Sequence, residues 1–156
     1  MEATLASNAD AQLILKLYEL RREETMRKAR SWMLGQFWPS TLDEFLAVQR
    51  AAGTTENAYL RQVASYWDMA ASFVLHGALD ADLFIECNSE NFFLLAKFQD
   101  LLPEIRPVMP SFLAKTEQLV QKYGNARQKF EGMVKAVPGR RAAYAARKAS
   151  ASNQAT

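Results

Sequence analysis

Residues 56–76, with the sequence ENAYLRQVASYWDMAASFVLH, carry the pattern that decides the fold. Apolar side chains recur along them at alternating intervals of three and four residues, which is the spacing of one buried helix face. This repeat comprises Leu60, Val63, Trp67, Ala70 and Val74. A second row, spaced by seven residues, widens the face with Tyr59, Tyr66 and Phe73. The stretch therefore predicts a helix at the centre of a bundle, packed on two neighbours and ending at Gly77.

Helices are predicted on both sides of this central one, because apolar periodicity alternates with stop signals along the chain. We expect helices over residues 10–35, 41–52, 81–87 and 89–102, and a long one over 111–137 that Gly124-Asn125 can divide. The predicted N-caps have side-chain oxygens that can accept hydrogen bonds from free backbone amides. They are Asp10, Thr41, Thr54 or Thr55, Asp80 and Ser111. The expected fold class is all-α, a compact bundle of four to six helices.

We expect the chain to divide into three parts: an N-terminal extension, a folded domain and a C-terminal tail. Residues 1–9 are predicted to form an N-terminal extension, and residues 10–137 the helical bundle domain. Pro138-Gly139 is predicted to end that domain, because proline disrupts a helix interior. Residues 138–156 then form a basic, Ala-rich C-terminal tail with little to bury, which we expect to be flexible or a marginal helix.

Length and composition exclude several classes of protein. The 156 residues suit one domain, and 49% hydrophobic with 23% charged residues excludes a disordered chain. Six glycines and five prolines argue against a turn-rich all-β fold. The single cysteine, Cys87, excludes an intramolecular disulfide, and the single histidine, His76, excludes a metal site of several histidines within one chain.

The net charge of +2 conceals an uneven distribution. Residues 1–120 carry 11 lysines and arginines against 16 acidic residues, for a charge of −5. Residues 121–156 carry eight lysines and arginines against one acidic residue, Glu131, for a charge of +7. An acidic body with a basic end is a property that selects binding partners rather than a fold.

The residues that could carry chemistry have simpler structural interpretations. His76 and Cys87 could form a base–nucleophile pair, but we expect His76 to lie on the polar side of a helix C-terminus, where a cation is favoured, and Cys87 to be a small buried side chain. Asp80, Asp82 and Glu86 could attract a cation, but acids of this kind are typical of helix N-termini. No Gly-rich phosphate loop occurs. The sequence therefore predicts no catalytic residue, no metal site and no cofactor.

The function that remains is binding, so we expect a non-enzymatic protein–protein interaction or assembly module, with self-association as one form of it. Nucleic-acid or anionic-surface binding through the basic end is the alternative, and a small-ligand-binding or enzymatic helical domain is a second alternative. The candidate partner-binding residues combine cations with large aromatic side chains. They are Arg140, Arg141, Tyr144, Arg147, Lys148, Trp32 and Trp38.

The stretch from Tyr66 to Arg106 resembles an uncharacterised bacterial family of small all-helical domains. The resemblance rests on short motifs spread over about forty residues. They are Tyr66-Trp67-Asp68, Ala70-Ala71, Gly77-Ala78-Leu79-Asp80, Leu83-Phe84 and Arg106. It implies a helical fold with no assigned activity and no catalytic residues. Many members of that family carry an N-terminal membrane span, and this chain departs from that pattern.

Compartment and targeting are predicted from the ends of the chain and from its cysteine. The N-terminal sequence MEATLASNADAQ has neither the basic nor the apolar region of a secretory signal. The densest apolar stretch, Phe92–Phe98, is too short to cross a membrane and is interrupted by Lys97. A cysteine without a partner suits a reducing compartment, so we expect a cytoplasmic protein with no transmembrane segment.

Overall fold

The computed structural model describes residues 4–155, and within them it is all-helical, as predicted. The helices are α1 (Asn8–Arg22), α2 (Glu24–Gly35), α3 (Leu42–Gln49), α4 (Thr55–Leu75), α5 (Ala81–Cys87), α6 (Glu90–Phe98), α7 (Leu102–Ile105), α8 (Ala114–Lys122) and α9 (Gly124–Gln154). The count of four to six is not confirmed, since the described residues form nine helical segments. Residues 1–3 of the expected extension and the last residue of the expected tail lie outside the described residues.

The central position of α4 is confirmed. All five residues of its predicted apolar repeat are at most 3% exposed, and the helix packs on α2, α3, α5 and α8. The Thr54 side chain accepts a hydrogen bond from the Asn57 backbone amide and caps the helix. Gly77, at φ +75°, lets the chain turn away after His76 in a left-handed conformation that suits glycine. The bundle is therefore built around the stretch with the strongest periodicity.

The predicted single helix over residues 10–35 is wrong, because the chain breaks at Glu23. The backbone of Glu23 is extended, with φ −58° and ψ 143°, and its carboxylate accepts hydrogen bonds from the amides of Thr25 and Met26 at 3.0 and 2.9 Å. This side chain caps α2 instead of pairing with Arg27 one turn later. The break separates α1 from α2 and lets both contact the body.

The predicted N-caps are partly confirmed. Thr41 and Asp80 cap α3 and α5 as expected, each accepting a hydrogen bond from a backbone amide. Asp10 is not the cap of α1: Ser7 has that position, and the Asp10 carboxylate completes a capping box with it. The other Asp10 carboxylate oxygen accepts from the amide of Asp80, so this side chain also joins α1 to the start of α5.

The end of the chain differs most from the expectation. α8 begins at Ala114, after Leu113 in a left-handed conformation, and Ser111 does not cap it. The divided last helix is confirmed, with the break at Tyr123. Pro138 does not end α9, which continues through it to Gln154. The division into a 10–137 domain and a separate tail stays a prediction.

One carboxylate, that of Glu90 at the start of α6, joins three helices. It accepts hydrogen bonds from the Arg30 guanidinium of α2, with Nη2 at 2.6 Å from one carboxylate oxygen and Nε at 3.1 Å from the other, and from the Trp67 indole of α4 at 3.2 Å. The bidentate geometry is the strong form of this ion pair, and it raises the pKa of Arg30. Because Trp67 is fully buried, Glu90 also supplies the partner that its indole N–H needs.

We predict that Glu90→Ala lowers the free energy of unfolding by about 3 kcal/mol, because Arg30 and the buried Trp67 indole both lose their partner. The matched control is Glu24→Ala, which breaks the exposed Glu24–Lys28 pair at 2.9 Å and costs about 0.5 kcal/mol or less. Urea denaturation followed by circular dichroism measures both values. Equal losses in the two variants would show that Glu90 is only a surface charge.

Candidate functional site

The basic end of the chain is the second half of α9. After Glu131 the sequence contains no acidic residue and five cations, four of which were predicted as partner-binding residues: Arg140, Arg141, Arg147 and Lys148. None of these four forms an ion pair with an acidic side chain in the part of the chain that the structure describes. Their charge is therefore not neutralised by an ion pair within residues 4–155 and can act on a partner.

Trp38, in the connection between α2 and α3, is the point where this half of α9 meets the body. The Tyr144 ring stacks on its indole with a centroid distance of 6.3 Å, and the Arg141 guanidinium lies 5.2 Å from the indole centroid. The Phe93 ring of α6 meets the indole edge-on at 6.2 Å. Arg140 lies over the Phe93 ring at 4.8 Å. Stacking and cation–π contacts, rather than apolar burial, hold this part of α9 in place.

Two shallow grooves flank the Trp38 indole. The larger, of about 510 Å³, is lined by Trp38, Ser40, Arg141, Tyr144, Ala145, Lys148, Ala149 and Ser152. The smaller, of about 350 Å³, is lined by Ser31, Leu34, Gly35, Trp38, Arg140, Ala143 and Arg147. Both combine cations, hydroxyl groups and small side chains with apolar surface, so each offers a cation to an acidic group of a partner. Ser40, which lines the larger groove, donates its backbone amide to the Glu44 carboxylate at 2.7 Å.

Lys97 of α6 lies under the same indole and is 4% exposed. Its ammonium is 4.2 Å from the Trp38 centroid and donates a hydrogen bond to the backbone carbonyl of Met33 in the last turn of α2. Arg147 donates to the carbonyl of Gly35 in that same turn, at 3.3 Å. Two cations thus satisfy carbonyls at the negative end of α2.

The charge of Lys97 has no carboxylate partner among the described residues. Burial of the ammonium is the main reason that the pKa of Lys97 is lowered to about 7, and repulsion by Arg141 lowers the pKa further. The Trp38 indole is also incompletely satisfied, because its Nε1 is buried without a hydrogen-bond partner in the described chain. The junction between α9 and the body therefore contains two polar groups that water would solvate better.

The structure brings together most, but not all, of the predicted partner-binding residues. Trp38 is contacted by Arg141 and Tyr144, while Arg140 contacts Phe93 and Arg147 contacts the Gly35 carbonyl. Lys148 lines the larger groove. Trp32 does not belong to this group, since its ring stacks on Phe37 at 4.6 Å and packs against the core.

Sequence reasoning missed Lys97 and Phe93 as parts of this site. Lys97 carries a visible signal, because it is the one charged residue in the apolar stretch from Phe92 to Phe98. A charge in such a run is either exposed or paired with a specific acceptor. Phe93 carries no such signal, because its role depends on where α9 crosses α6.

The other predicted residues lie away from Trp38. The His76 imidazole Nδ1 is 2.9 Å from the Ser72 carbonyl at the end of α4, which is the expected position at a helix C-terminus. Cys87 is exposed at the end of α5, so the expectation of a buried cysteine is wrong. Asp80 caps α5 and Asp82 accepts from Asn125 at 2.9 Å. No cluster of three His, Cys, Asp or Glu side chains suited to a metal ion occurs in residues 4–155.

Comparison with known proteins identifies a family without a function. Residues 6–123 match the family model described as Domain of unknown function (DUF4760), which confirms the resemblance to an uncharacterised family and extends it over α1 to α8. No curated protein and no solved structure matches the chain. The family model ends where α9 begins, so the basic end lies outside the part of the chain that the family model covers. Across residues 4–155, none of the helices is both long enough and apolar enough to cross a membrane.

We predict that Lys97→Met stabilises the protein at pH 7 by about 1–2 kcal/mol, because it removes a buried, unpaired ammonium and keeps the apolar chain. The pKa of Lys97 is about 7 in the folded chain and rises to 10.5 on unfolding. Between these two pKa values, the unfolded wild type therefore binds more protons than the folded wild type. The free energy of unfolding of the wild type consequently increases with pH across this window. The advantage of the variant is largest at and below pH 7 and shrinks towards pH 10.

Urea denaturation of both proteins between pH 6 and pH 9.5 measures this difference. The comparison is made within the pair because the pKa of Lys129 is also lowered, chiefly by burial, and burial raises the pKa of Tyr66 to about 12. Those groups contribute equally to both proteins. A difference that does not change with pH would mean that Lys97 keeps its proton throughout this range.

Proposed function

The chain belongs to the DUF4760 family, a domain of unknown function, and we propose that it is a non-enzymatic protein-interaction module that binds an acidic surface of a partner protein. In this proposal the binding surface is the second half of α9, with Arg140, Arg141, Arg147 and Lys148. The observation that carries it is that these four cations have no acidic partner among the described residues, although the body of the same chain has an excess of acids.

The pI and the position of Tyr144 support a protein partner over nucleic acid. The pI of about 8.7 is below the value above 9 that is typical of nucleic-acid-binding domains. The ring of Tyr144, which could have stacked on a base, is already stacked on Trp38. An acidic protein is therefore the proposed partner, and the binding experiment below distinguishes it from nucleic acid.

Self-association through α1 is a second candidate, supported by the distribution of exposed apolar side chains. Six large apolar residues are exposed in the described chain, and four of them lie between residues 5 and 20. Leu15 and Tyr18, which are 60% and 49% exposed, are three residues apart and lie on the same side of α1. Two copies of this face could bury each other.

We propose the cytoplasm as the compartment, because the single cysteine is exposed and unpaired. Cys87 lies at the surface at the end of α5. An exposed thiol is maintained in a reducing compartment, whereas an oxidising one favours its conversion to a disulfide. A bacterial origin likewise stays a prediction.

We predict that replacing all four cations (Arg140→Gln, Arg141→Gln, Arg147→Gln and Lys148→Gln) weakens binding to a twenty-residue poly-L-glutamate peptide about tenfold or more. Each exposed ion pair contributes up to about 1 kcal/mol, and such contributions decrease with salt. Fluorescence anisotropy of the labelled peptide, measured from 50 to 300 mM NaCl, gives the dissociation constants. The affinity of the wild type should fall steeply with salt and that of the variant only weakly.

The matched control removes the same number of charges from exposed positions far from α9 in the sequence: Lys16→Gln, Arg22→Gln, Arg27→Gln and Arg50→Gln. This control should bind the peptide like the wild type. The same measurement with a twenty-nucleotide single strand tests the alternative. Tighter binding to the nucleotide strand than to the peptide, lost in the α9 variant, would replace the acidic protein by nucleic acid as the partner class.

We predict that Leu15→Ser with Tyr18→Ser abolishes self-association, since both changes remove apolar area from the exposed side of α1. Sedimentation velocity at 10–500 μM measures the state of the protein. Met69→Ser, which changes an exposed apolar residue of α4 (40% exposed), is the control and should behave like the wild type. A wild type that sediments as a 17.6 kDa species at every concentration would remove this second candidate and leave the leading proposal untouched.

A further inference from the structure

The second half of α9 is attached to the body by few contacts. From residue 139 to residue 154, Arg141 and Tyr144 are partly buried and all the other side chains are exposed. Tyr144 and Arg141 contact Trp38, Arg140 contacts Phe93, and Arg147 bonds to the Gly35 carbonyl. By contrast, α4 buries nine residues, and α6 has nearly every residue buried. This half of α9 can therefore leave the body without disturbing the core.

Pro138 and Gly139 supply a point at which α9 can bend. Proline has no amide hydrogen for the carbonyl one turn earlier, at Val134, and glycine is a weak helix former. These two residues lie inside α9, immediately before the segment with few contacts. A Cβ atom added at Gly139 would lie in open space, so no packing contact requires glycine there. The pair immediately precedes the part of α9 that contacts Trp38 and Phe93.

Two buried polar groups beneath this segment, on Lys97 and Trp38, favour its displacement from the body. The ammonium of Lys97 is buried without a carboxylate, and Arg141, on the segment itself, repels it. The buried Trp38 Nε1 has no hydrogen-bond partner among the described residues. Lifting the segment would let water reach both groups and would separate the two cations, which offsets part of the lost stacking and cation–π energy.

We propose that residues 139–154 are a displaceable cover over Trp38, and that their own cations, which form the proposed binding surface, are inhibited by their contacts with the body. The inference rests on the proposed function, because the cations that would contact an acidic partner are the ones that hold the cover in place. Arg140 and Arg141 face aromatic rings of the body, and Arg147 faces a backbone carbonyl. An acidic partner competes with these rings and this carbonyl for the α9 cations. Its binding displaces residues 139–154 by bending α9 at Pro138-Gly139, and this exposes Trp38.

Hydrogen exchange and affinity measured on the full chain test the cover. Tyr144→Ala removes the stacking on Trp38 without changing charge, and it should speed amide exchange in residues 140–154 and tighten poly-L-glutamate binding about two- to tenfold. Pro138→Ala with Gly139→Ala stiffens the bend and should slow that exchange and weaken binding. Met69→Ala is the control outside the cover, and it should change neither. Amides of residues 56–76 report on the body and should be unaffected throughout.

The outcomes separate this inference from the function on which it rests. If the wild type binds the peptide, but exchange in residues 140–154 does not change on binding and Tyr144→Ala does not gain affinity, the cover is wrong and the proposed function stands. If the wild type does not bind the peptide while Tyr144→Ala both speeds exchange and binds, the cover is supported in its strongest form. If neither protein binds, the proposed function fails and the regulatory inference fails with it.

Discussion

The carboxylate of Glu90 is the polar contact on which the packing of the bundle depends. The buried face of α4 includes an indole N–H, on Trp67, that no apolar neighbour can satisfy, and α2 presents a guanidinium, on Arg30, that needs an anion. One side chain at the start of α6 serves both. Because α2, α4 and α6 are joined at this point, their relative positions are fixed there, and the apolar residues on both sides of it pack in one arrangement.

The core of the body contains few residues from α9, and those lie in the first half of that helix. This core runs through α1 to α8 and the first part of α9, and Ala126 is the one residue of α9 that is fully buried among those described. The family model covers α1 to α8 and stops at residue 123, before α9 begins. The basic half of α9 contacts this body through Trp38, Phe93 and the Gly35 carbonyl.

The proposed binding site is divided between these two parts. The cations come from α9, whereas the aromatic rings, the carbonyls of α2 and the buried Lys97 come from the body. Such a site has internal competition, because each cation that contacts the body is less available to a partner. The affinity for a partner then depends on how strongly the body retains the helix, and this couples binding to a conformational change.

The amino-acid sequence by itself determined the helical class, the central role of α4 and most of the helix ends, since periodicity and capping act between residues close in the chain. It also showed where the cations lie along the chain, because the positions of lysine and arginine are read directly from the sequence. Tertiary structure decided what the sequence could not: that Glu23 caps a second helix, that α9 continues through Pro138, and that Trp38 rather than Trp32 meets the basic end. Each of these depends on contacts between residues far apart in sequence. Lys97 shows the division most clearly, because its charge within an apolar run is visible in the sequence, while its position between Trp38 and the Met33 carbonyl exists only after α2 and α6 have packed together.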